Sequence, residues 1–234
     1  MPEGRDRRVL DALFPTRSDQ EAALFADLSA EPWRVLADLA ARLQHWLGQA
    51  GVEALGTLAP DADFSGVARC SALYVGSGAV VEPTAVLVGG PIVLAAGAVV
   101  RAGAYIRGPA YIGAGAVVGH ASEIKNSVLL AQARAPHFNF VGDSVLGHDC
   151  NLGAGTKLSN LRFDGRMVRL HWEGQSVDSG LRKLGALIGE RAQTGCNAVL
   201  NPGTVLLPGT LVPPAIAVKG TLAPGRARPV VGPA

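Results

Sequence analysis

Arg107 and Lys125 stand 18 residues apart, in IRGPAY and IKNSVL. Brought together on one face, two cations repel. An anion held between them would remove that cost, and an arginine fork suits a phosphate. Glu123 or Glu82 could instead neutralise them as ordinary surface cations. Twelve residues beyond Lys125 comes His137. An imidazole, with an ordinary pKa near 6.5, can take a proton from an amine or hydroxyl at neutral pH. A single loop histidine is as readily a bystander. Asn139, Asn151 and Asn160 offer amides for orienting a sugar, and the backbone around Gly153, Ala154 and Gly155 offers N–H groups to an oxyanion.

What must position these groups is a count of six. Leu94, Val100, Ile106, Ile112, Val118 and Ile124 recur at every sixth residue, with small residues Ala98, Ala104, Ala110, Ala116 and Ser122 four positions after the first five. Neither helix nor plain strand has that period. Hexapeptide repeats build a parallel β-helix, an all-β solenoid whose coils take about 18 residues and three short strands. Arg107 and Lys125 then occupy the same slot of successive coils, about 4.8 Å apart.

The repeats begin near Val75, slip by one residue around Leu87–Val93, and resume from Leu146 to Leu158 and from Ile188 to Ala217. Two interruptions stand out, and solenoid insertions often line binding sites. The first, ARAPHFNFVGDS, holds His137; Ile124 and Leu146 around it are 22 residues apart, one coil plus four. The second, residues 162–186, carries Arg162, Arg166, Arg169, His171, Arg182 and Lys183.

Residues 1–65 read as a helical segment. Ser18 to Glu21 form a capping pattern, Pro32 opens a second run, and Trp33, Val35, Leu36, Leu39, Leu43, Trp46 and Leu47 make an apolar stripe. The stripe should pack on one end or flank of the solenoid and cap it. The β-helix is expected over residues 66–220, and the Pro/Gly-rich residues 221–234 as a loosely ordered tail.

A chain of 234 residues with 48% hydrophobic and 17% charged residues folds. A net charge of +2 argues against nucleic acid and for small molecules or further copies of the chain. Cys70, Cys150 and Cys196 form no CxxC pair, and the latter two read as reduced filler in the repeats. The five histidines include no closely spaced ligand pair, so no metal is expected. LAAGAVVRAG (94–103) lies inside the cleanest repeats and is coil, not a nucleotide loop. A charged N-terminus and the lack of a long apolar run give a cytoplasmic expectation, with no membrane partner.

EIKN (Glu123–Asn126), PHFNFVGDS (Pro136–Ser144) and NLGAGT through Asn160, in this order and spacing, resemble the acetyltransferase domain of the bifunctional glucosamine-1-phosphate acetyltransferase/N-acetylglucosamine-1-phosphate uridylyltransferase. The resemblance covers roughly residues 104–220. SNLRFDG and RKLGALIGE resemble sugar-nucleotidyltransferase relatives with a longer insertion, and the whole chain resembles stand-alone hexapeptide proteins lacking the nucleotidyltransferase domain. The resemblance implies a left-handed β-helix, a homotrimer with sites between subunits, and acetyl-CoA as co-substrate. It implies His137 as general base, Arg107 and Lys125 on the sugar phosphate, Asn151 and Asn160 at the sugar, and the Ala154 amide near the thioester. Phe140 stands in place of the family's tyrosine, Cys196 in place of a coenzyme-side serine, and Arg166, Arg169 and Lys183 compete for a lysine's place. Nucleotide activation is not expected, since helices replace the uridylyltransferase domain.

The expectation is a CoA-dependent N-acetyltransferase for an amino-sugar phosphate, such as glucosamine-1-phosphate, or a related sugar nucleotide. The alternatives are a non-catalytic trimeric sugar-phosphate-binding or assembly module, and an O-acyltransferase.

Overall fold

A computed structural model describes residues 9–49 and 57–226. The count of six becomes a parallel β-helix of the hexapeptide-repeat, left-handed class, with three faces and an N-terminal helical segment. The first face carries Tyr105 to Arg107, Glu123 to Lys125, Phe140–Gly142, Lys157–Leu158 and Val199–Leu200. The second carries Val117–His120, Arg134–His137, Asn151–Leu152 and Gln193–Thr194. The third carries Ala110 to Ile112, Ser127 to Leu129, Val145–Leu146, Ala186–Ile188 and Thr204–Leu206. The aliphatic residue of each hexad points inward and is fully buried, from Val100 and Ile106 through Leu152 and Leu158 to Leu200 and Leu206. Each such side chain contributes about 1.5–3 kcal/mol of burial.

The one-residue slip is real: pairing shifts between Gly89 and Ile92. The expected first interruption is not there. Ala135 and Val141 are interior residues like any other in the hexads, both fully buried. Arg134 pairs with Val117 and Glu123 with Phe140, each an offset of 17 residues. The coil absorbs two five-residue steps, Ile124 to Leu129 and Val141 to Leu146, instead of expelling a loop. His137 therefore ends a strand.

Both domain limits also shift. Thr57–Leu58 pairs with Tyr74–Val75 and Asp63–Phe64 with Val80–Val81, so the solenoid starts before residue 66. Thr221–Leu222 and Gly225–Arg226 are strands on the last coils, because their backbone groups find partners in Val205–Leu206 and Thr210–Leu211. The expected tail beyond residue 226 and the charged residues 1–8 lie outside the described residues.

The helical segment comprises α1 (Val9–Leu13), α2 (Asp19–Leu24), a 3-10 turn (Pro32–Leu36) and α3 (Leu39–Gln49). Ser18 and Glu21 form the expected capping box. The segment covers the third face and not an end. Leu36, Leu39, Leu43 and Leu47 join one apolar cluster with Val93, Tyr111, Val128 and Val145. Trp46 meets Tyr74 edge-on, with ring centres 5.1 Å apart. Two buried glutamates pin it: Glu21 accepts the Ala131 amide at 2.7 Å, and Glu190 accepts the Thr16 amide and hydroxyl.

The second insertion leaves the coil after Asn160 and returns at Leu184, whose amide donates to the Asn160 carbonyl. It forms an antiparallel hairpin, Arg169–Trp172 with Gln175–Asp178. Val168, Leu170 and Leu184 pack with Leu187 and Val205, on the same face as the helices.

Candidate active site

The strands of the second face end in a corner where successive coils repeat one conformation. Ala121, Phe138, Gly155, Asn197 and Ala215 all have positive φ there. Just before each comes a register-matched set: His137 pairs with His120, and the same alignment carries on to Ala154, Cys196 and Pro214. Carbonyls clamp this ladder, since Phe138 N donates to His120 O at 3.0 Å, Gly155 N to His137 O at 2.9 Å and Asn197 N to Ala154 O at 2.8 Å. His137 and Ala154 are thus neighbours across one strand spacing, about 4.8 Å.

Asn139 braces the corner from inside. It is 2% exposed, its Oδ1 accepts the His137 amide at 3.0 Å and its Nδ2 donates to Gly153 O at 2.8 Å. It positions His137 and has no face toward a sugar, contrary to the expectation. The amides of Gly153 and Gly155 are likewise spent, donating to Thr194 O and His137 O. Between them, the Ala154 amide has no acceptor among the described residues.

His120, weighed in the sequence only as a metal ligand, sits beside His137 in register. Its Nδ1 lies 2.7 Å from Ala102 O, a carbonyl that can only accept, so Nδ1 carries a proton. Phe138, exposed, meets the His120 ring edge-on at 5.7 Å. Cys196 is exposed on this corner and is no filler; Cys150, fully buried among the interior residues, is one, and burial pushes its thiol up to about 12.

Around the corner, the first face holds the cations. Lys125 and Arg107 are directly paired, as the 18-residue spacing required. Each already has a carboxylate: Arg107 Nη1 lies 2.9 Å from Glu123, and Lys125 Nζ lies 2.9 Å from Asp143. Asp143, 4% exposed, also accepts the Asn126 and Asn160 side-chain amides at 2.9 and 2.6 Å. Asn160 is therefore an organiser of the Lys125 side chain. Phe140 lies between Glu123 and Lys157 on the same face. A Cβ at Gly142 would stand 2.6 Å from Asn160 and 2.8 Å from the Phe140 ring, so only glycine permits this packing.

Asn151 is on the second face, paired with Arg134 and Gln193, three residues along the strand direction from His137. The insertion cations are elsewhere again. Arg169 is tied to Ser176 and Asp178 in its own hairpin, Arg166 is exposed, and the Lys183 backbone bridges Leu161 at the insertion's base. One coil thus does not bring Arg166, Arg169 or Lys183 to His137. Among the described residues no cluster of three or more His, Cys, Asp or Glu could hold a metal ion, and no described helix is long and apolar enough to cross a membrane.

Fold and corner define a hexapeptide-repeat β-helix protein. The family model for the GMPPB C-terminal domain matches residues 88–209, more than half of the chain, and the chain belongs to that family. It is 47% identical over 81 residues to the bifunctional sugar-1-phosphate nucleotidylyltransferase/acetyltransferase of Sulfurisphaera tokodaii, covering 35% of this chain and 20% of that protein. It is 45% identical over 84 residues to the bifunctional protein GlmU of Methanococcus vannielii, covering 36% and 20%. The chain thus matches about a fifth of the length of these relatives. Among solved structures, a point mutant of perosamine N-acetyltransferase from Caulobacter crescentus, in complex with CoA and GDP-perosamine, matches 78% of this chain and 58% of its own at 19% identity and a TM-score of 0.31.

Proposed function

We propose that the chain is a CoA-dependent acyltransferase that acetylates the amine of an amino-sugar phosphate or sugar nucleotide. The observation that carries this reading is the corner ladder, which sets exposed His137 beside the unpaired Ala154 amide and exposed Cys196, one face away from Arg107 and Lys125. In it, His137 takes the proton as the amine attacks the thioester carbonyl, and the Ala154 amide donates to the developing oxyanion. Collapse of that intermediate breaks the C–S bond and expels the CoA thiolate, which His137 protonates. Cys196 lines the acetyl-CoA side, while Arg107 and Lys125 receive the acceptor's phosphate alongside Glu123 and Asp143. The name of the Sulfurisphaera tokodaii relative, which pairs nucleotidyl transfer with acetyl transfer, supports the class of reaction.

The proposal includes a cytoplasmic homotrimer. Among the described residues, the helices and the hairpin pack on the third face, which leaves the two faces that flank His137 for neighbours. Thiol release from acetyl-CoA with glucosamine-1-phosphate, or with a nucleotide-linked amino sugar, tests the reading. His137→Ala should abolish it while light scattering still reports a trimer. Unchanged turnover in that variant would sink the mechanism.

The carboxylates already beside Arg107 and Lys125, with Phe140 in place of a tyrosine, favour a second reading: a binding module without catalysis. Calorimetry separates the two, because a module takes up sugar phosphate and ignores acetyl-CoA.

A further inference from the structure

The insertion carries four arginines around one cavity. Arg162, Arg166, Arg169 and Arg182 line about 520 Å³ together with Asp178. Two of them have carboxylate partners: Arg162 with Asp164 at 2.5 Å and Arg169 with Asp178 at 3.5 Å. Arg166 and Arg182 have none among the described residues, so the cavity keeps an excess of positive charge. Repulsion among fixed guanidinium groups is a cost that a bound polyanion removes, and their planar forks match phosphate oxygens.

Arg162 also forms the wall of a second cavity, of about 420 Å³, with Ser159, Phe163, Asn201 and Lys219. Phe163 is fully exposed. Among the described residues neither core nor neighbouring ring uses its face, although a phenyl group in water is a standing cost. The Asp164 carboxylate holds the Arg162 guanidinium through two hydrogen bonds, at 2.8 and 2.5 Å, which fixes a second flat group beside Phe163. Asp164 and Lys219 both line this cavity and offset one another, so it attracts phosphate less than the arginine cavity does. The charge order is therefore specific: an uncharged, flat group beside Phe163, and phosphates on the far side of Arg162.

We propose that the insertion is a binding site for a nucleoside di- or triphosphate, separate from the His137 corner. The base stacks on Phe163, Asn201 and Ser159 meet its polar edge or ribose, and the phosphates lie among Arg166, Arg169 and Arg182. The site does not depend on acyl transfer. It assigns to a second ligand the insertion cations that the acceptor site of a single coil leaves unused.

Calorimetry on the full chain tests it, with GDP, UDP and ADP as nucleotide probes and inorganic pyrophosphate as the phosphate probe. Nucleotide binding should be sub-millimolar and weaken steeply with added salt. Phe163→Ala should weaken nucleotide binding about ten-fold and leave pyrophosphate unchanged, since only the stack is lost. Arg166→Ala with Arg182→Ala should weaken both. These side chains are exposed, so circular dichroism should show intact folds. Absence of nucleotide binding, or a Phe163→Ala variant that binds like the parent, overturns the proposal. So does displacement of the nucleotide by glucosamine-1-phosphate, which would return the arginines to the acceptor site. A chain that binds nucleotide and transfers no acetyl group keeps this site and loses the proposed activity.

Discussion

Lys125 Nζ meets the Asp143 carboxylate at 2.9 Å, and that one carboxylate fixes the cation, two side-chain amides and the start of the insertion together. Asp143→Ala leaves Lys125, Asn126 and Asn160 without their shared acceptor. Urea denaturation should show a loss of about 2 kcal/mol. Asp143→Asn, which keeps the shape, should cost less. Equal stabilities for Asp143→Ala and the parent would mean that the hub is unimportant to the fold.

Gly119 lies between Val118 and His120 on the second face. A Cβ there would run into the Pro136 carbonyl of the next coil, immediately before His137. Gly119→Ala should force the two coils apart and reduce both soluble yield and any turnover that depends on His137. At Gly48, in α3, an added Cβ would meet nothing within 4 Å, and Gly48→Ala should raise stability by about 0.5–1 kcal/mol through helix propensity. Thermal melts of the pair, run side by side, check both signs.

The cysteines should label in the order of their surroundings. Cys196 is exposed and should react with a thiol reagent at once; Cys70 is partly buried, with its pKa raised by burial, and should lag. Cys150, wholly buried, with its thiol pushed up to about 12, should react only after unfolding. Mass spectrometry of native samples over time reads the order. Early modification of Cys150 would contradict the closed interior.

Asp164 is held well below the usual carboxylate range, first by its hydrogen bonds from Arg162 and then by the Arg166 amide. A lowered folded pKa means that the stabilisation is present above the ordinary value, about 3.9, and is lost as pH falls toward the folded one. The pair is open to solvent, so salt screens it and global stability should hardly respond. Amide exchange at Gly165 and Arg166 should quicken as the pH is lowered from about 4, after correction for intrinsic rates. The Asp164→Asn variant should show that faster exchange already at neutral pH.

The coil, its slip at Gly89 and the second insertion were readable because each depends on local spacing. The coil through His137 looked broken because its hexads contain Ala135 and Asn139, which carry little aliphatic signal, and because two steps are five residues long. The Lys125 over Arg107 stack followed from one period. Of their carboxylates, Glu123 was one of the two partners the sequence offered, but Asp143, 18 residues from Lys125, was not, and only the pairing register says which ones face each other. His120 could have been found by counting 17 residues back from His137, had the shortened coil been known. The flank chosen by the helices depends on outward residues such as Tyr111, Val128 and Val145, which no inward repeat announces.

The N-terminal segment runs lengthwise along the solenoid. It touches the Glu190 coil through Thr16, the Ala131 coil through Glu21, the Asn126 corner through Leu36 and the Tyr74 coil through Trp46. A bare solenoid couples each coil only to its neighbours and can fray from either end. A splint fastened at points so far apart along the axis links coils that never touch, so loosening one end must also undo contacts at the other. The chain should therefore melt as a single cooperative unit, and the helices that read as a cap would be what makes it one.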